Sequence, residues 1–410
     1  MSLSSKKSGF IVGFLFVLVG VVFFSANKKS LEISATPSVV SASSASTSMP
    51  AGISKKNSIA EGPLKDSIIV AGDYLVRQQL PNGELSYQVD FMNGERTYSP
   101  SHVRLMAGTG SLFTVCRVSG DQKYCNAGDL ALDHYLDLLI SDPAKFRGTC
   151  FYTEGNCQLS GAALTVDTIY KRWQVSGNFI LKDRNLLKTA IDLGYFIVSM
   201  RKPEGGFYYA FDPHFSGTVD PNFYVTYASS QSLLALIDIY EMTGNEFWLK
   251  QAHEVNAYLI SQLVTEDQWH AYALSKLARL DSLSAEDKAY AEQIAKTVIA
   301  GDVRSLNPKN TSISTATKLE ALAALAQAMY LSGAKYEWLD PEMQTIITFV
   351  KARQLPDNNC NWNITKNMTE KFGGGIFGSC EETSIRIDGL QNWINGLTAY
   401  LEYRSMIEMK

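Results

Sequence analysis

Val118-Ser119-Gly120-Asp121 returns three times along the chain in altered form, as Val175-Ser176-Gly177-Asn178, Met242-Thr243-Gly244-Asn245 and Leu331-Ser332-Gly333-Ala334. Each copy follows a segment of helical apolar periodicity and precedes another. Glycine just past a helix end accepts the left-handed backbone that a Cβ penalises, and a polar residue after it can cap the next helix. Four helices are stopped by one device, so the chain reads as an array of helical hairpins.

Working outward from these junctions, apolar periodicity marks twelve helices. The first of each pair runs over 66–79, 127–141, 185–200, 247–263, 284–300 and 341–354; the second runs over 101–118, 161–175, 223–242, 267–280, 314–331 and 386–404. Six hairpins are the number that closes a double ring, in which one helix of each pair lines the inside and its partner wraps the outside. Closure removes the uncovered ends of an open array. The expected fold is therefore an all-α (α/α)6 toroid over residues 62–410, and no linker interrupts it. Three first-set helices run into proline or glycine turns followed by aromatic residues: Leu80-Pro81-Asn82-Gly83, Lys202-Pro203-Glu204-Gly205-Gly206-Phe207, and Leu355-Pro356-Asp357 continuing to Gly373-Gly374-Gly375-Ile376-Phe377. Proline cannot continue the helix, so these read as short β-hairpins on one rim, in hairpins one, three and six.

With those motifs the chain resembles, at the level of architecture, the six-hairpin toroids of glycan-processing enzymes. The segment from Tyr224 to Leu249 (YVTYASSQSLLALIDIYEMTGNEFWL) is similar to their inner-helix and turn pattern, and the Gly-Gly-aromatic turns look like their rim loops. The resemblance covers about residues 66–404. It implies a glycan or polysaccharide ligand and a hydrolase, lyase or epimerase; the alternative is a non-catalytic toroid that binds glycan or protein in an envelope assembly.

The net charge of −4 and the absence of a Lys/Arg stripe with interleaved aromatics argue against nucleic acid as a partner. Residues 9–25 (GFIVGFLFVLVGVVFFS) are uncharged and apolar between Lys6-Lys7 and Lys28-Lys29, which predicts a membrane-spanning signal anchor after a cytoplasmic tail of residues 1–8. Residues 26–61, rich in Ser, Ala and Thr, predict a flexible tether. The six cysteines fall into three sequence-local couples, Cys116 with Cys125, Cys150 with Cys157 and Cys360 with Cys380, each closing one inter-helix loop. Pairing of that kind belongs to an oxidising compartment, so the toroid is expected in the periplasm or outside the cell. Five scattered histidines and no Cys-x-x-Cys spell no metal site, and no phosphate-binding glycine loop or serine-nucleophile elbow is present, so no cofactor is expected.

A ligand of such a ring enters where the inner helices begin, and helix N-termini favour anions and oxyanions. The candidate catalytic residues are Asp388, Glu382, Asp167, Glu204 and Tyr209. The candidate substrate-binding residues are His102, Arg104, Tyr208, Tyr224, Tyr227, Trp269, Arg386 and Gln391. Hydrolysis would pair Asp388 or Glu382 with Asp167 or Glu204 as general acid and base. A lyase or epimerase would move a proton through Tyr209 or His102 beside a carboxylate neutralised by Arg104 or Arg386. Plain structural roles stand beside each: a capped and salt-bridged start for the helix at 386–404, an aromatic hairpin packed over the ring for 204–220 (where Asp212 and His214 are further acid or base candidates), a helix cap for His102, and core packing for Trp269. Asp167 lies in an apolar helix, so it should meet a partner or line the lumen.

Overall fold

The structure is a computed structural model that describes residues 62–97, 101–213, 218–220, 223–301 and 309–409. Helical pairs run through it: α1 (Pro63–Gln78) with α2 (His102–Ser119), α3 (Gln122–Leu136) with α4 (Leu159–Ser176), α5 (Leu186–Ser199) with α6 (Ala228–Thr243), α7 (Glu246–Ile260) with α8 (Gln268–Leu280), α9 (Ala285–Ala300) with α10 (Ser312–Leu331), and α11 (Asp340–Lys351) with α13 (Ile387–Glu408); a short α12 (Lys366–Phe372) lies between the last two. The second helix of each pair packs on the next, α2 on α4, α4 on α6, α6 on α8, α8 on α10, α10 on α13, and α13 back on α2. The inner ring is thereby closed. Outer helices bridge neighbouring inner ones, and α1 spans the seam by packing on both α2 and α13.

Burial explains which helix goes where. Outer helix α9 buries Tyr290, Ala291, Ile294, Ala295 and Val298, a single stripe at helical spacing. Inner helix α10 is buried on all sides from Lys318 to Met329 and reads as apolar and small residues almost throughout. Close packing of inner helices needs small residues at the crossings: a Cβ on Gly396 would lie 3.2 Å from the backbone nitrogen of Glu320, on the neighbouring helix. Across the seam, the Trp393 indole N–H donates to the Ser67 hydroxyl at 3.0 Å, tying α13 to α1.

The recurring junction behaves as its sequence predicts. Gly120, Gly177, Gly244 and Gly333 adopt φ of 74°, 66°, 65° and 71°. Asp121 and Asn245 then cap α3 and α7 by accepting from the backbone N–H of Lys123 and Phe247. That cap corrects one boundary: the helix expected over 127–141 starts directly at the junction and ends at Leu136. The helix expected from 223 begins instead at Ala228, after a turn that leads in from the rim.

The rim carries more strand than expected. β1 (Gln88–Asp90), β2 (Arg96–Thr97), β10 (Phe377–Ser379) and β11 (Glu382–Arg386) form one antiparallel sheet in the order β10-β11-β1-β2, so the inserts of the first and last hairpins are stitched together. Gln88 pairs with Arg386 and Val89 with Ile385. A second sheet, in the order β3-β4-β5-β8-β9, joins β8 (Ala210–Asp212) and β9 (Thr218–Val219) of hairpin three to β3 (Leu139–Ile140), β4 (Cys150–Thr153) and β5 (Asn156–Gln158). Hairpin two thus contributes to the rim as well. A small hairpin of β6 (Ile180–Leu181) and β7 (Arg184–Asn185) follows the end of α4, at the opposite face. These strands make the fold a mostly helical toroid with short sheets rather than a purely helical one.

All three cysteine couples are disulfide-bonded, with Cα separations of 5.4, 5.4 and 5.2 Å in chain order. The predicted cytoplasmic tail, anchor and tether (1–61) lie outside the described residues, as does His214. Among the described residues, no helix is long and apolar enough to cross a membrane.

Candidate active site

A cavity of about 630 Å³ opens where the six inner helices begin, and every one of them contributes to its wall. The rim sheet builds one side. Strand β11 delivers Arg386 as its last residue, the Ile387 backbone N–H donates to the Tyr87 carbonyl at 2.9 Å, and α13 starts there with Asp388 in its first turn. Beneath this sheet Phe91, Phe377 and Trp362 pack together with ring centroids 4.8 to 5.8 Å apart.

Asp388 is held from two sides. Arg386 donates to its Oδ2 at 2.5 Å, and Arg104 of α2 lies 3.6 Å from the same oxygen. Arg104 also donates to the Tyr87 hydroxyl at 2.6 Å, and both guanidiniums sit over the Tyr87 ring, 5.9 and 5.7 Å from its centroid. Burial opposes the Arg386 charge most strongly, but Asp388, Tyr87 and Glu382 together outweigh it and the Arg386 pKa is raised. Arg386 and Asp388, two residues apart, meet because the first ends a strand and the second starts a helix. Glu382 lines the same wall, accepting from the Ser384 hydroxyl at 2.8 Å, and Gln391 lies one turn further along α13.

Two further carboxylates face the cavity, and the sequence reading did not single them out. Glu154 occupies the turn between β4 and β5 with φ of 54°, next to Gly155 at 84°. Two consecutive positive φ values suit a tight β-hairpin, but the first is an uncommon place for glutamate. The turn is steadied by His102, whose Nδ1 lies 2.8 Å from the Thr153 hydroxyl. His102 therefore supports the rim and does not line the cavity. Glu266, ahead of α8, pairs with Lys318 of α10 at 3.1 Å. The signal for both was available: Glu154-Gly155 sits inside the Cys150–Cys157 loop, and Glu266-Asp267 precedes an apolar helical run.

Tyr227, Trp269 and Gln231 also line the wall. Asp267 positions Trp269: it is buried, caps α8 by accepting from the Trp269 and His270 backbone N–H groups at 3.0 and 3.1 Å, and accepts from the Ser230 hydroxyl. Burial pushes its pKa up to about 6, partly offset by those three donors. Burial, Asp267 and Glu266 together raise the Tyr227 hydroxyl.

The remaining candidates sit elsewhere. Asp167 is one turn below the cavity wall residue Leu164, buried and paired with Lys171 at 2.8 Å. It meets a partner rather than lining the mouth. Glu204 is exposed on a rim turn whose glycines pack on Tyr258. Tyr208 lies under the Lys202 ammonium, 5.1 Å from the ring centre. Tyr209 contacts the Ser229 hydroxyl at 3.4 Å and meets the exposed Tyr224 edge to face at 5.2 Å, at the cavity margin. Among the described residues no histidine lines the cavity, and no group of three or more His, Cys, Asp or Glu is gathered as a metal would require.

No protein-family model matches the chain and no curated protein matches it in sequence. Solved structures match its fold. A cellobiose 2-epimerase from Spirochaeta thermophila superposes with a TM-score of 0.61 at 14% identity, covering 84% of this chain and 97% of that one. A D-mannose isomerase gives 0.60 at 11% identity over 85% and 98%. An unsaturated glucuronyl hydrolase responsible for the degradation of glycosaminoglycan, from a Bacillus species, gives 0.58 at 13% identity over 82% and 96%. The chain therefore has the (α/α)6 toroid found in glycan-processing enzymes. Identities this low speak for architecture and leave the reaction to the residues in the cavity.

Proposed function

We propose that the protein is a glycoside hydrolase that cleaves a polysaccharide or envelope glycan in the cavity at the toroid mouth. The observation that carries this reading is the wall's chemistry: Glu154, Glu266, Glu382 and Asp388 all face the cavity, whereas a lyase or epimerase would call on His102 or Tyr209, neither of which lines it. Hydrolysis needs two carboxyl groups on either side of the scissile bond. One gives a proton to the glycosidic oxygen as the C–O bond breaks; the other takes a proton from the water that forms the new C–O bond. Asp388, fixed by Arg386 and Arg104, is an oriented acceptor for that water. Glu154, across the α2 start from it and with no ion-pair partner among the described residues, is the proton donor. This pairing replaces Asp167 and Glu204, one below the cavity and the other outside it.

The same proposal puts residues 9–25 in a membrane with the toroid on the extracytoplasmic side, supported by that apolar run and by the three cysteine couples. Protease added to spheroplasts, in which only the inner membrane is sealed, should degrade the toroid, and protection of it would overturn this location.

The test of activity is incubation of the full chain with neutral and acidic polysaccharides, followed by mass spectrometry. Products whose masses sum to that of the substrate plus one water are expected. Asp388→Asn and Glu154→Gln should each lower the rate at least about 100-fold. Unsaturated uronate products would make it a lyase, solvent deuterium in an uncleaved sugar an epimerase, and saturable binding without turnover a binding protein; each would overturn the reading.

A further inference from the structure

The cavity has two unlike walls. Around α13 and α2 both arginines engage Asp388, and the one buried polar atom left without a partner among the described residues is a donor, Arg386 Nε. On the wall made by the starts of α4, α6 and α8, three side chains more than nine-tenths buried carry polar atoms that have no hydrogen-bond partner among the described residues: Ser160 Oγ, Gln231 Oε1 and Gln268 Oε1. A buried polar atom left unmatched costs roughly 1–3 kcal/mol. Native proteins leave few such groups, and here three fall on consecutive helices facing one space.

We propose that this wall is a subsite for an uncharged pyranose residue, an inference that rests on the glycan reading above and narrows its substrate class. Two carboxamide oxygens can only accept hydrogen bonds, and a serine hydroxyl can accept or donate. The matching ligand must therefore bring donors. Sugar hydroxyls do, and they can also accept from the carboxamide NH2 groups, whereas an ionised carboxylate or sulfate ester could accept from those groups but would leave the carboxamide oxygens unmatched. Tyr227 and Trp269, on the same wall, offer apolar faces for the C–H side of the ring. The cavity's overall charge agrees: the cations Arg104, Lys318 and Arg386 face the four carboxylates Glu154, Glu266, Glu382 and Asp388, and each cation is already paired. No unpaired cation awaits an acidic sugar among the described residues, contrary to what the two arginines suggested in the sequence.

The experiment is calorimetric titration of the full chain with neutral gluco-, manno- and galacto-configured tetrasaccharides and with tetraglucuronate and tetragalacturonate. At least one neutral probe should saturate, more tightly than either uronate. Its affinity should fall about 5- to 100-fold in Gln231→Leu and Gln268→Leu, and less in Ser160→Ala, with melting temperatures within a few degrees of the parent. The small serine truncation keeps the test alive if either leucine variant fails to fold. Uronate binding as tight as the best neutral probe, no neutral probe bound, or neutral binding indifferent to the substitutions would overturn the subsite. Cleavage of a uronate with no neutral binding would do so while leaving the hydrolase reading standing; neutral binding that responds to the substitutions without any turnover would do the reverse.

Discussion

The two ends of the inner ring are made by the same six helices and could hardly differ more. All six begin at the mouth, so their positive dipole ends converge there, and carboxylates with unmatched polar atoms collect around a solvent-filled cavity. At the far end the negative dipole ends converge, and the last two turns of three of these helices carry cations: Arg117 on α2, Lys171 and Arg172 on α4, Lys276 and Arg279 on α8. Each of these five cations has an acidic partner. Lys276 lies 2.5 Å from both Asp238 and Glu241 and 3.4 Å from the centre of the Tyr170 ring, Arg117 reaches Glu402 at 2.7 Å, and Lys171 reaches Asp167. The difference teaches that parallel helices give a toroid a polarity before any active-site residue is chosen: one end is built to receive, the other to close.

Removing the central cation should break the closed end most severely. Lys276→Met leaves Asp238, which is fully buried, and Glu241 without their ammonium; Asp238 is already pushed up to about 7, by burial first, with the Lys276 charge working against the rise. Breaking a buried pair from one side typically costs about 3–5 kcal/mol. Urea denaturation should show a loss of that order at neutral pH, while turnover per folded molecule stays within about two-fold of the parent, because Lys276 does not line the cavity. A comparable loss of turnover would mean that the two ends are not separate.

A gentler probe is Glu320, fully buried on α10 between the cavity-lining Lys318 and Ala321. Burial pushes its carboxyl up to about 8, against the pull of Lys171 and a hydrogen bond from Tyr272 at 3.2 Å, with Asp167 adding to the rise. Below the ordinary carboxyl range Glu320 is protonated whether the chain is folded or not. Between that range and about pH 8 the unfolded chain has released the proton and the folded one retains it, so stability falls as pH rises; above pH 8 the loss is complete. Glu320→Gln should remove this slope, matching the parent near pH 4 and exceeding it by roughly 2–4 kcal/mol at pH 8.5 in chemical denaturation. Some slope should remain, since Asp238 is raised in the same sense. Equal pH profiles for parent and variant would show that Glu320 is ionised in the folded protein.

How far this polarity was readable in the sequence depends on whether a feature is local. Gly120, Gly177, Gly244 and Gly333 announce helix ends because the left-handed conformation is demanded by the residue itself. The three cysteine couples were legible because each spans only 7 to 20 residues. Asp388, Arg386, Glu382 and Arg104 could be placed near the mouth because they stand at predicted helix starts. What could not be read was what meets what across the ring. Asp167 was expected to meet a partner or to line the lumen, and the structure decides for the partner, Lys171 one turn on in the same helix. Glu154 was missed because it lies between strands of four and three residues, too short to leave a periodicity to detect. The sheet joining the first and last hairpins rests on pairing between Gln88 and Arg386, almost three hundred residues apart, and no local pattern encodes that.

The smallest expected effect tests the junctions that set the polarity. Gly120 has φ of 74° and nothing within 4 Å of where a Cβ would stand, so Gly120→Ala adds no clash and probes backbone conformation alone. The left-handed region costs an L-residue about 1 kcal/mol relative to glycine, and the helix-stopping bond from the Gly120 N–H to the Cys116 carbonyl, 2.8 Å, survives the change. Denaturation should therefore register a loss near 1 kcal/mol with the Cys116–Cys125 bridge intact and turnover unchanged. Gly72→Ala is the contrast: its Cβ would come within 2.6 Å of the Val115 side chain, in the packed seam between α1 and α2, so its cost should be larger and should come from displaced neighbours. If the two substitutions cost the same, the junction is held by packing and not by the glycine's freedom, and the repeat would mark helix ends without causing them.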